Sequence, residues 1–225
     1  MAILVFLGYA EYGEVDLIEP LVLTIAAVTV PFGLYLAFDR KKTDRRMQKR
    51  INRHERTRQA LQRLSQQEEH WNPNHLRFEL RQNYRSIQKL RLAADWEGLA
   101  GNVSAGPLQE WRQEWERRER AGVRWVLDPL EIVDVQPVNL QNRPGFEKDF
   151  VTVEIETRRR DFVRGPEGCF QEGSGEVGET PEHIPIELFK EYWTFNRRVD
   201  GWTLVRTDRT FPENLAFIED EEPAV

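Results

Sequence analysis

Hydrophobic positions along the chain fall into three regimes. From Pro20 to Phe38 they form an unbroken run, PLVLTIAAVTVPFGLYLAF, of 19 residues without a charge. As a helix rising about 1.5 Å per residue, this run is roughly 28 Å long, the thickness of a bilayer's hydrocarbon core. The pattern predicts a transmembrane helix over 20–38. Pro31 is its expected kink, because proline withholds a backbone donor. Residues 1–19 form an extracytoplasmic stub whose first ten, MAILVFLGYA, are apolar but too short to span.

The second regime, residues 39–73, is polar and rich in Arg and Gln. Its apolar members are sparse. Met47 and Ile51 are four apart, Leu61 and Leu64 are three apart, and Ala60 adjoins them. That is a thin helical stripe, which predicts a basic helical stalk leading away from the membrane.

The third regime, residues 74–212, has the periodicity of a folded domain. Leu80, Tyr84, Ile87, Arg91 and Ala94 mark one face of a helix expected to end near Gly98, with Leu76, Leu90 and Trp96 close by. After a break at 102–107, Pro107 starts a second helix with Leu108, Trp111 and Trp115 at i, i+3 and i+7. Trp125–Val138 reads as a long strand bent at Asp128-Pro129. Phe150–Phe162 alternates as a half-buried strand should, with Val151, Val153, Ile155 and Thr157 on one face and Thr152, Glu154 and Glu156 on the other. A Gly- and Glu-rich loop over 165–183 leads to a final hairpin, EYWTFNRRVDGWTLVR, from Glu191 to Arg206.

An Asp200-Gly201 turn would set Val199 opposite Trp202, Arg197 opposite Leu204 and Phe195 opposite Arg206. Trp193, Phe195, Trp202 and Leu204 then share the core face. Tyr192, Thr194 and Asn196 share the other with Thr203, Val205 and Thr207, and that face is the expected partner surface. Helices followed by antiparallel strands give an α+β class: two or three helices packed on a curved antiparallel sheet of about four strands.

Charge gives the chain a direction. The net charge of −6 hides eleven Lys/Arg against five Asp/Glu between Asp39 and His70, and five acids with no base in the tail 213–225. No Lys or Arg precedes Arg40. The positive-inside rule therefore places the N-terminus outside and the domain in the cytoplasm. Arg40, Lys41, Lys42, Arg45, Arg46, Lys49 and Arg50 form a patch for anionic lipid, worth about 1 kcal/mol per basic residue near the surface. One local basic segment in an acidic chain argues against a general nucleic-acid binder and for a local electrostatic role.

Chemical motifs are few. Cys169 is the sole cysteine, so no internal disulfide forms, which fits a reducing compartment. GSGEVG at 173–178 matches G-x-G-x-x-G, but no apolar strand leads in and no helix follows to hold a pyrophosphate. The four histidines lack metal-ligand spacing, and no cofactor is expected. The candidate cavity residues are Trp111, Trp115, Tyr192, Trp193, Phe195 and Trp202. A cavity enzyme using Asp95, Glu191 and Tyr192 is an alternative resting on fold analogy.

The hairpin residues Glu191, Tyr192, Trp193, Thr194, Phe195 and Arg197, then Trp202 and Leu204, resemble the closing strands of the Tim-forty-four-like (Tim44-like) domain family. Ala94-Asp95-Trp96-Glu97 with Leu99, Leu108 with Trp111, Leu130 with Ile132, and Val151 with Val153 extend the resemblance over roughly residues 75–208. It implies a cone-shaped α+β fold of the nuclear transport factor two type, with a cavity between sheet and helices. It also implies residence at an inner membrane, as in bacterial relatives, and adaptor work for larger complexes. With the anchor and the basic exit, the chain reads as a non-catalytic bacterial inner-membrane adaptor that binds a protein partner or an apolar ligand, its partners being membrane lipid and other membrane-protein subunits. An accessory subunit of a larger respiratory or photosynthetic membrane complex is the alternative role. The stalk is short compared with the family's import anchor, so import-motor binding does not carry over.

Overall fold

A computed structural model describes residues 47–142, 149–165, 168–170, 177–178 and 184–211. The run expected to span the membrane, 20–38, and the basic residues Arg40, Lys41, Lys42, Arg45 and Arg46 lie outside the described residues. Among the described residues, no helix is long and apolar enough to cross a membrane. The chain divides into two compact units, Met1–Ile51 and Asn52–Val225. In the first, residues 47–51 are helical, with Lys49 exposed and Arg50 half-buried.

The second unit is α+β. It opens with a helix over residues 52–64 (α1), which buries Thr57, Leu61 and Leu64. That spacing is i, i+4, i+7, one face of a helix. The segment expected as a stalk to residue 73 therefore joins the domain core from α1 onward. The stripe looked thin because a threonine fills one of its three buried positions. A 3-10 turn, Glu69–Trp71, then inserts Trp71, fully buried, edge-on against Trp202 at 5.6 Å between ring centroids.

Helix α2 runs Pro73–Leu92. Asn72 caps it, its side-chain oxygen accepting from the backbone N–H of Asn74 and His75, and Pro73 needs no partner for its missing donor. Leu76, Leu80, Tyr84 and Ile87 are all fully buried on its sheet-facing stripe. The helix ends before the expected Gly98 because Ala94 adopts φ +54°. Asp95 then caps a short helix, α3 (Trp96–Ala100), accepting from Gly98 N at 2.9 Å. Helix α4, Ala105–Arg120, carries Pro107 in its first turn and buries Pro107 and Trp111.

The strands are β1 (Arg124–Gln141), β2 (Phe150–Gly165), β3 (Gly168–Phe170), β4 (Val177–Gly178), β5 (Glu187–Arg198) and β6 (Gly201–Asp208). β1, β2, β5 and β6 pair side by side, all antiparallel, while β3 and β4 extend the far end of β2. Val177 and Gly178 of the glycine motif thus form a strand. Register shifts at Leu127/Leu130, Ile132/Asp134 and Pro137/Asn139 interrupt the β1–β2 ladder. The first lies at the expected Asp128-Pro129 bend. Bulges bend a strand and increase its twist, which curls this sheet toward the helices.

Both sheet faces bury residues where β2 meets β5. Val151, Val153 and Ile155 point inward with Trp193, Phe195 and Leu204. Thr152 and Glu154, expected on a solvated face, are buried too. They sit in a cross-strand polar ladder: the Thr152 and Thr194 hydroxyls bond at 3.0 Å, and Tyr192 donates to Glu154 at 2.8 Å. Phe211 lies edge-on to Tyr192, with the Arg53 guanidinium over its ring. Phe211, after β6, and Arg53 of α1 therefore lie over the Tyr192 end of the face expected to meet a partner.

The hairpin turns one residue earlier than expected. Arg198 pairs with Gly201, so Val199-Asp200 is the turn, and the left-handed φ of +125° falls on Gly201. Arg197 faces Trp202 and Phe195 faces Leu204. The sum of paired numbers changes by two, so Trp193, Phe195, Trp202 and Leu204 still share the core face. Beyond that, Thr194 pairs with Arg206 and leaves Val205 as an extra residue. This bulge turns Thr207 inward beside Trp193.

Candidate functional site

The inner face of the sheet is apolar at its centre and becomes polar toward the C-terminal ends of α2 and α4. Continuing the alternation past Ile155 and Thr157 brings Arg159 and Asp161 to the inner face of β2. The same rule places Phe189, Glu191 and Trp193 on the inner face of β5. Together with Arg91 of α2, Trp111 and Arg118 of α4, and Trp125 of β1, they line a cavity of about 430 Å³. A smaller recess of about 120 Å³ adjoins it, sharing Arg91, Trp111, Arg118 and Trp125 and adding Trp96 and Trp115.

Arg159 is the hub of the cavity floor. It donates to the Tyr84 hydroxyl at 3.0 Å, the Thr157 hydroxyl at 3.2 Å, Asp161 at 3.2 Å and Glu191 at 2.5 Å. Its guanidinium carbon lies 4.5 Å from the centroid of the Phe189 ring. Burial alone weakens its hold on the proton, but Glu191, with Tyr84 and Asp161, outweighs this and raises its pKa. Burial, and then the charge of Glu191, raises the Tyr84 pKa, so its phenol stays protonated. Glu191 also accepts from Tyr84 at 3.4 Å and from the Trp193 indole at 3.1 Å. Asp161 accepts from the Trp125 indole at 2.6 Å. Both carboxylates are thus held by several donors.

Arg91 is treated differently. Its guanidinium carbon lies 4.4 Å from the Trp111 centroid and 4.3 Å from that of Trp125. Cation–π attraction stabilises it there. Among the described residues, no carboxylate lies within ion-pairing distance. Burial lowers its pKa to about 10, partly opposed by the more distant Glu191. It remains a cation at neutral pH.

Of the residues expected to line a cavity, Trp111 and Trp193 do so, their centroids 6.0 Å apart. Trp115 lines the recess and meets Trp96 edge-on. Phe195 and Trp202 belong to the packed core. Tyr192 lies on the opposite sheet face, bonded to Glu154. Asp95 caps α3, so it, Glu191 and Tyr192 serve three separate places. The residues that sequence reasoning missed are Arg91, Trp125, Arg159 and Asp161 as cavity groups. Arg91 and Arg159 carried a signal: each continues an apolar stripe, one of a helix and one of a strand.

This arrangement is that of an α+β domain with a charged and aromatic cavity between its helices and its antiparallel sheet. The chain belongs to the Tim44-like domain family, whose model matches residues 57–209. Among solved structures, it is similar to the intermembrane space region of the chloroplast protein ARC6, at 10% identity and a TM-score of 0.39, over 56% of this chain and 90% of that one. It is also similar to an NTF2-like protein involved in plasmid conjugation, at 10% identity and a TM-score of 0.21, over 57% of this chain and 49% of the other. No curated protein matches the chain.

Proposed function

We propose that the protein is a membrane-anchored, non-catalytic adaptor, held by a single span over 20–38 with its domain in the bacterial cytoplasm. Membership of the Tim44-like family and the charge asymmetry around the apolar run support this reading. The observation that carries its non-catalytic part is the state of the cavity carboxylates. Glu191 and Asp161 are both engaged by Arg159 and by indole N–H groups, so neither is placed as a free general base. Arg91, by contrast, is a charge held ready for a ligand. Work by binding follows from that inventory. The basic exit from the membrane, Arg40 to Arg50, orients the domain against anionic lipid.

A second role, accessory subunit of a larger membrane complex, is favoured by the apolar stub MAILVFLGYA, which would pack against a neighbouring membrane protein.

Alkaline carbonate treatment of membranes tests the anchor. The full chain should stay in the pellet, and a variant lacking 20–38 should be released. Release of the full chain would overturn the anchored reading.

A further inference from the structure

We propose that the cavity at the ends of α2 and α4 receives a short carboxylate-bearing, aromatic-containing segment of a partner protein, with Arg91 as its anchoring cation. The proposal rests on the reading of this domain as a binding module and adds what it binds.

Arg91 stands in the buried stripe of α2, four residues after Ile87, where a hydrophobe would pack without electrostatic cost. Its charge is half-buried between two indoles. The other arginines that enter this cavity from helix and sheet have carboxylate partners: Arg159 has Glu191 and Asp161, and Arg118 has Glu114 at 2.8 Å. Arg91 has none among the described residues. Holding a half-buried charge without a carboxylate carries a desolvation cost, and a bound anion would offset it.

The charge balance of the cavity agrees. Lys190 and Asp208 also border it, but their head groups turn to the other sheet face, pairing with Glu154 and Glu156 and with Arg206. What faces inward is Arg91, Arg118, Arg159 and the exposed Arg209, against Asp161 and Glu191. With Arg118 satisfied by Glu114 and Arg159 by its own two acids, Arg91 and Arg209 are left over among the described residues. The cavity therefore takes one or two negative charges.

The planar guanidinium fork matches a carboxylate in two parallel hydrogen bonds. Phe189, half-buried in the cavity wall, offers apolar surface to an adjoining aromatic side chain. A hydrocarbon chain fits poorly, because charged groups alternate with rings along the walls and would lose water without gaining a partner. A peptide segment supplies both carboxylates and backbone N–H groups, which Asp161 and Glu191 can still accept.

The test uses the full chain in detergent micelles and the change in its tryptophan fluorescence, with Trp111 and Trp125 at the cavity, on titration with acetyl-Glu-Phe-Asp-Glu-amide. The amide counterpart, Gln-Phe-Asn-Gln, should bind at least about tenfold more weakly. Arg91→Met, which keeps the packing stem, should lose a similar factor. Arg112→Met, on the exposed face of α4, should change nothing. Added salt should weaken the wild-type interaction. If Arg91→Met does not fold, Arg209→Ala, at an exposed position, carries the test with an expected loss of several-fold. The proposal is overturned if the acidic peptide does not bind, or binds equally to both cavity variants. It is also overturned if oleate binds with Arg91 dependence while the peptide does not. Membrane retention in carbonate is independent of Arg91, so failure here leaves the adaptor reading standing, and failure there leaves this one.

Discussion

Arg159 reaches Glu191 at 2.5 Å although the two are not register partners. Arg159 pairs across the sheet with Glu187, and Glu191 pairs with Ile155. The guanidinium extends along β5 over the Phe189 ring to find its carboxylate, and in doing so it also ties Tyr84 of α2 to the sheet. One buried cation thus links helix and sheet at the cavity floor.

Removing that cation takes the one charged partner from two carboxylates. Arg159→Met should destabilise the domain by about 2–3 kcal/mol, because Glu191 and Asp161 lose their common partner but keep the Tyr84, Trp193 and Trp125 donors. Urea unfolding followed by tryptophan fluorescence reads this directly. The exposed pair Arg112–Glu116 is the control: Arg112→Ala should leave the unfolding midpoint unchanged.

The domain begins before the residues that look like a domain. Trp71 is fully buried, and Leu61 and Leu64 join the same core cluster. A fragment spanning 52–211 should therefore unfold cooperatively, whereas one spanning 74–211 should not. Trp71→Ala in the full chain should cost about 3–5 kcal/mol. Equal cooperativity of the two fragments would show that the α1 contacts are dispensable.

His70 should make stability depend on pH. Its Nε2 lies 2.5 Å from an Arg197 nitrogen, so it accepts there and stays neutral, while its Nδ1 meets Glu68 at 3.2 Å. Asp149 also faces it, at 3.8 Å. Burial, and then Arg197, lowers its pKa below the ordinary value of 6.5, with Glu68 opposing. The unfolded chain then binds the proton more readily, so this contribution is full above about pH 6.5 and is lost as pH falls below it. Unfolding midpoints at pH 7.5 and pH 5.5 should differ, and the difference should shrink in His70→Gln.

The elements of the domain were largely legible because their periods are clean. Leu76, Leu80, Tyr84 and Ile87 keep helical spacing, and Val151, Val153 and Ile155 alternate. The stripe of α1 was not legible, since Thr57 supplies a buried position that a hydrophobicity count ignores. Burial of Glu154 was not legible either, because it depends on Tyr192 and Lys190 arriving from β5 and on cover from Phe211. In the hairpin, the aromatic face survived a wrong turn assignment because the register moved by an even step. The Val205 bulge, which sends Thr207 inward, has no local sequence mark. The cavity was half legible. Its tryptophans stood out, while its arginines were hidden by the habit of assigning charge to solvent. Arg91 and Arg159 stand where an apolar stripe should continue, and that misplacement was the available clue.

The central claim, an adaptor that works by binding at a membrane, is tested most directly by the native mass of the full chain extracted from its own membranes in mild detergent. The account predicts a stoichiometric complex with another protein. A lone monomer that turns over a small substrate would contradict it.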